Sequence, residues 1–149
     1  MGGPSPCPCA RPERVGSCEP KADTSAVIVA GGTGERFGDP RGKQFVSLCG
    51  LPLMCWSIVA FDRASSVADI VVVCAPDRVR EVERDVLGRL SLKKPVSIAP
   101  SGATRQASVL SGLGAVPARR ELVAVHDAAR PLVETEMVER VIAAVREDP

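Results

Sequence analysis

The chain has a single histidine and no Cys-x-x-Cys pair in 149 residues, so it lacks the ligand spacing of a structural zinc site. It also lacks any apolar run of the roughly 18 residues that a membrane span requires. Its amino terminus has no apolar h-region followed by a small-residue cleavage site. A cytoplasmic protein with no membrane partner is the expectation. Net charge is nearly absent too: 19 basic against 18 acidic side chains leave +1, so no global field draws the chain to nucleic acid. Any anion it binds has to be held by local chemistry.

What is present is 45% hydrophobic and 25% charged, the composition of an ordinary globular domain. The six cysteines divide by context. Cys7, Cys9 and Cys18 sit in a proline-rich start, whereas Cys49, Cys55 and Cys74 lie among core-like segments and read as reduced, mostly buried thiols. Residues 1–24 show no hydrophobic period and cannot bury enough apolar surface to offset chain entropy, so they read as a disordered leader before a domain over 25–149.

From Ser25 the texture changes. The run SAVIVA, short, apolar and β-branched, predicts a strand buried on both faces. A helix is expected over residues 51–64, with Pro52 in its first turn. DIVVVCA follows as a second strand. In residues 77–90 the apolar positions Val79, Val82, Val86, Leu87 and Leu90 recur at helical spacing. PVSIA predicts a third strand, TRQASVLSGLGAV a helix, and ELVAVHD a fourth strand. In the last helix Met137, Val138, Val141, Ile142 and Val145 form one stripe. Four β-α units in succession predict an α/β fold, an open and mostly parallel sheet covered on both faces. Ligands of such sheets sit outside the carboxyl ends of the strands.

The residues that follow the strands carry chemistry. Ala30, Gly31, Gly32 and Gly34 open a loop in which missing side chains allow backbone N–H groups to meet an anion. The loop is not a dinucleotide fingerprint, because Phe37 stands three after Gly34, and not a P-loop, because Gly42-Lys43 precedes Gln44. Arg36 and Lys43, seven apart across a proline-containing bend, complete a cage for a polyphosphate; a ligand-free glycine turn with solvated charges is the alternative. After the third strand Thr104 is a candidate N-cap, placing Gly102, Arg105 and Ser108 on or beside the first helical turn. After the fourth strand come His126, Asp127, Ala128, Ala129 and Arg130. His126 reads as structural. Asp127 can hold ribose hydroxyls or a metal-bound water, the alanines admit a ligand to the backbone, and Arg130 offers a fork for a phosphate or diol.

The glycine loop with its arginine and Lys-Gln-Phe resembles the signature of the 2-C-methyl-D-erythritol 4-phosphate cytidylyltransferases, among the nucleoside-triphosphate transferases that activate sugars and polyols. HDAARP is a hallmark of the same family; related ribitol phosphate cytidylyltransferases tend to carry Val at the position of Ala129. The resemblance covers residues 26 to about 146. It implies a Rossmann-like nucleotidyltransferase fold that takes CTP and a polyol phosphate and forms the CDP-linked product and pyrophosphate in non-mevalonate isoprenoid synthesis. It implies Arg36 and Lys43 as catalytic cations at the α-phosphate, Gly102 and Ser108 near the cytosine edge, and Mg²⁺ as cofactor, for which Asp127 is the best remaining candidate ligand in this chain. It also implies a homodimeric parent enzyme about half as long again, whose later part carries a dimerising arm and acceptor residues. The expectation is therefore an amino-terminal portion that ends after the fourth β-α unit. Ribitol 5-phosphate as acceptor, or a catalytically silent nucleotide-binding fragment, are the alternatives.

Overall fold

The computed structural model describes residues 21–32 and 42–148. Strand β1 (Thr24–Val29) is followed by a 3-10 turn at Lys43–Phe45, a two-stranded hairpin of β2 (Ser47–Leu48) and β3 (Leu51–Pro52), and helix α1 (Leu53–Arg63). Then come β4 (Val67–Cys74), a helical stretch containing α2 (Val79–Glu81), β5 (Val96–Pro100), α3 (Arg105–Gly114), β6 (Leu122–Asp127) and α4 (Thr135–Glu147). The main sheet has the order β5-β4-β1-β6, and every pair in it is parallel. The α/β sheet expected from the alternating runs is what the chain forms. Among the described residues no helix is long and apolar enough to cross a membrane.

Continuous apolar runs make the central strands because both of their faces are covered. On one face Ala26, Ile28, Ile70 and Val72 pack with Met54, Ile58 and Phe61 of α1 and with Val138 and Ile142 of α4. On the other, Val27, Val71, Val73 and Ala99 form a smaller cluster. Helix α3 lies over that second face and reaches it through Gly112. A Cβ on Gly112 would stand 2.5 Å from Val27 Cγ1 and 2.8 Å from Val73 Cγ2, so only glycine allows this approach.

Several expectations change. Of the expected leader, residues 1–20 lie outside the described residues, while Lys21 to Thr24 are placed and Thr24 opens β1. Asp23 is buried there and receives Arg146 of α4, which ties the start of the strand to the last helix. Pro52 is not in the first turn of α1 but ends β3 one residue before it. The hairpin turns at Cys49 (φ 50°) and Gly50 (φ 83°), and two positive φ angles in a two-residue loop match the twist of the flanking strands. The stretch over residues 76–89 is not one α-helix. It starts with a 3-10 turn at Pro76–Arg78, widens to a π turn at Val82–Val86 and closes with a 3-10 turn at Leu87–Arg89, with Val82 and Val86 fully buried. The stripe of α4 is only partly used: Val138 and Ile142 are buried, whereas Met137, Val141 and Val145 are exposed. Helix α4 packs on α1, and of its stripe Val138 and Ile142 join the main core cluster. Of the described cysteines, Cys55 and Cys74 are buried and Cys49 is exposed, all three as free thiols. Burial pushes the Cys55 thiol up to about 11, which leaves it protonated and inert at neutral pH.

Candidate active site

Strand β1 lies between β4, the next strand of the sheet along the chain, and β6, the last, so the strand order reverses around its carboxyl end. A cleft of about 580 Å³ opens there, lined by residues that follow four strands. Hydrogen bonds beyond the strand ends hold those connections to the sheet. Ala30 N donates to Val73 O at 2.7 Å, Ser101 N to Cys74 O at 2.7 Å and Ala128 N to Val29 O at 2.9 Å. The connections after β1 and β5 also touch. A Cβ on Gly31 would lie 2.3 Å from Ser101 Cβ, so the backbone at this wall comes as close as it does only because residue 31 is glycine.

Ala30, Gly31, Gly32, Lys43, Gly102, Arg105, Ser108, Asp127 and Arg130 all line the cleft, which unites residues up to 100 positions apart. Gly34 and Arg36 lie outside the described residues. Ala128 does not line the cleft; it is buried in the main core, and Ala129 lines the cleft in its place. Thr104 caps α3, its hydroxyl accepting from Ala107 N at 3.1 Å. Ser108 is buried and its hydroxyl is already engaged. It accepts from Gly102 N at 3.1 Å and donates to Thr104 O at 2.9 Å, so it fixes the 101–104 turn from behind.

Among the described lining residues are three cations, Lys43, Arg105 and Arg130, and one carboxylate, Asp127. Asp127 Oδ1 accepts from Arg105 Nε at 3.0 Å, and Oδ2 accepts from Arg130 Nε at 3.2 Å. Lys43 is exposed and lines the same cleft from the 3-10 turn at Lys43–Phe45. His126 points away from this group. Its Nε2 lies 3.2 Å from both Ser57 Oγ and the Arg130 carbonyl, and its ring packs against Phe61 at 5.3 Å. Burial lowers its pKa, against the opposing pull of the Arg130 carbonyl and Asp127, so it is neutral at pH 7 and ties β6 to α1.

Gln44 was given no role by the sequence and has one here. Its buried amide donates to Ala30 O at 2.8 Å and to Gly32 O at 3.0 Å, which fixes the turn bearing Lys43 to the end of β1. A metal ion would find no cage: the described residues contain no group of three carboxylate, histidine or cysteine ligands. Asp127 is the single carboxylate among the described lining residues, which suits a hard cation that takes most of its oxygens from phosphates and water.

The family that matches is IspD: 2-C-methyl-D-erythritol 4-phosphate cytidylyltransferase, over residues 24–149. The chain belongs to this family. A 2-C-methyl-D-erythritol 4-phosphate cytidylyltransferase of Caldanaerobacter subterraneus subsp. tengcongensis is 38% identical over 122 residues, which is 82% of this chain and 54% of the relative. The chloroplastic enzyme of that name from Oryza sativa subsp. japonica is 37% identical over 127 residues, 85% of this chain and 42% of the relative. This member of the family thus spans about half the length of the curated relatives it matches, 54% and 42% of these two. Among solved structures, 4-diphosphocytidyl-2C-methyl-D-erythritol synthase from Anaerococcus prevotii superposes with a TM-score of 0.70 at 24% identity, over 83% of this chain and 51% of that one. A CMP:2-keto-3-deoxy-manno-octonic acid synthetase complexed with CTP gives a TM-score of 0.66 at 17% identity, over 85% and 48%. At these identities the structures support the shared fold.

Proposed function

We propose that the cleft binds CTP and that the whole protein transfers its cytidylyl group to 2-C-methyl-D-erythritol 4-phosphate, releasing pyrophosphate. The observation that carries this reading is the gathering of Lys43, Arg105, Arg130, Asp127 and the Gly31–Gly32 backbone in one cleft at the strand-order reversal, in a chain of this family. A phosphomonoester has a second pKa of about 6, so the acceptor is already a dianion at pH 7 and needs no general base. That fits a cleft whose nearest histidine is neutral and turned into the fold. In-line attack on the α-phosphorus then depends on positioning and on charge stabilisation. Lys43 supplies a fixed positive charge to the α-phosphate, with Arg36 as its proposed partner. The turn at 101–104, braced by Ser108, meets the cytosine edge with backbone groups, a means of rejecting UTP. Mg²⁺, when bound at Asp127, supplies phosphate neutralisation. A homodimer and a cytoplasmic location complete the proposal.

Pyrophosphate release from CTP tests the acceptor directly. Methylerythritol phosphate is expected to support release and ribitol 5-phosphate to support little; the reverse preference would assign the chain to the sibling reaction.

A further inference from the structure

In the free cleft both oxygens of Asp127 are taken, one by each of two arginines that reach it from different elements. Arg105 is the first residue of α3 and holds Oδ1 through Nε and Nη2, each at 3.0 Å. Arg130 follows β6 and holds Oδ2 at 3.2 Å. A divalent cation arriving alone therefore meets two positive charges around a single negative one, with Lys43 a third positive charge in the same cleft. No second described carboxylate lines the cleft to offset them.

The two arginines are also free to leave. Their side chains are 62% and 76% exposed, against 32% for the carboxylate they hold, and exposed ion pairs of this kind are weak. Guanidinium groups prefer phosphate oxygens, which offer the same forked geometry with more charge. A triphosphate in the cleft can thus draw both arginines onto itself. At the same step it brings the anionic oxygens that a hard cation needs in addition to one carboxylate.

We infer that Arg105 and Arg130 guard Asp127 against a lone divalent cation and release it only to a nucleoside triphosphate, so that metal and nucleotide load as one unit. This rests on the nucleotide-binding reading of the cleft and adds an order of binding to it. The two arginines are positioning residues in the free state and phosphate ligands in the loaded one.

Mn²⁺ binding to the chain without nucleotide, read from the electron paramagnetic resonance signal of the free ion at low ionic strength, tests the guard. The Arg105→Gln, Arg130→Gln double variant is expected to bind Mn²⁺ about tenfold more tightly than the parent, since like charges beside the site are removed. Adding Asp127→Asn to that variant should abolish the gain. Both arginines are exposed, so the substitutions leave the core untouched, and a matching circular dichroism spectrum checks this. Equal Mn²⁺ affinity in parent and double variant overturns the guard, as does a gain that survives Asp127→Asn. Calorimetry with CTP keeps the two claims apart. A parent that fails to bind CTP while the arginine variant still gains Mn²⁺ affinity would remove the nucleotide reading and keep the guard.

Discussion

A buried primary amide with two carbonyl partners has a narrow tolerance, and Gln44 is such a group. Glutamate has the same shape but turns a donor pair into an acceptor pair, so Gln44→Glu sets negative oxygens against Ala30 O and Gly32 O. Losing two buried hydrogen bonds and gaining repulsion costs on the order of 1–3 kcal/mol. We expect CTP affinity, measured by calorimetry, to fall by at least about tenfold as Lys43 and the β1 end lose their fixed spacing; an unchanged affinity would show that another contact sets it. Most of the described cleft residues were legible because a parallel sheet presents its chemistry directly after strands, and Gly31, Gly102, Arg105, Asp127 and Arg130 all do so. Gln44 stands in the Lys-Gln-Phe segment that carries the resemblance, yet nothing in that pattern tells that its amide holds the end of β1. The exchange of Ala128 for Ala129 at the cleft has a similar origin. Two adjacent alanines offer the same small side chain, and only the hydrogen bond from Ala128 N to Val29 O decides which one turns inward.

Polar anchors, as well as its apolar stripe, hold helix α4. Glu139 accepts from Ser65 Oγ at 2.7 Å, from Ser66 N at 3.2 Å and from Ser66 Oγ, and Arg146 donates to Lys21 O at 2.7 Å and to Asp23. Burial works against both carboxylates, but the serine hydrogen bonds at Glu139 and Arg146 at Asp23 outweigh it and lower both pKa values. A carboxylate with a lowered folded pKa contributes stability that is present above its unfolded value, about 4, and is lost as pH falls through the folded one. Amide protection in α4, taken relative to the intrinsic exchange rate at each pH, is therefore expected to fall ahead of that in β1 and β4 on acidification below about pH 4. Uniform loss of protection across all three elements would contradict the anchoring role. The existence of α4 was plain from its apolar stripe, yet its half-exposed state was not, because periodicity tells which face is apolar and not how much of it finds a partner. The β2-β3 hairpin was hidden by its Cys49-Gly50 turn, which lacks the Asn-Gly cue. Nothing in the spacing of Val79, Val82 and Val86 separates an α turn from the wider turn the chain adopts there.

At the scale of the whole molecule, the strand order β5-β4-β1-β6 creates the cleft before any side chain is considered, by placing the carboxyl ends of four parallel strands beside one reversal point. Continuous buried runs made the parallel sheet legible, whereas the order of its strands is not encoded in any local run; it follows from right-handed crossovers and from which faces α1, α3 and α4 must cover. With a net charge of only +1, a chain that is to hold a triphosphate must concentrate positive charge locally, and the proposed site has Lys43, Arg105 and Arg130 lining one cleft. We propose this cleft as a cytidine triphosphate site. Calorimetric titration of the chain with CTP, UTP, ATP and GTP in the presence of Mg²⁺ tests it most directly. Saturable CTP binding at least about tenfold tighter than that of the other three is expected, the discrimination of a pocket built to hydrogen-bond one base edge when it meets the wrong one. Absence of CTP binding, or equal affinity for all four nucleotides, would contradict it.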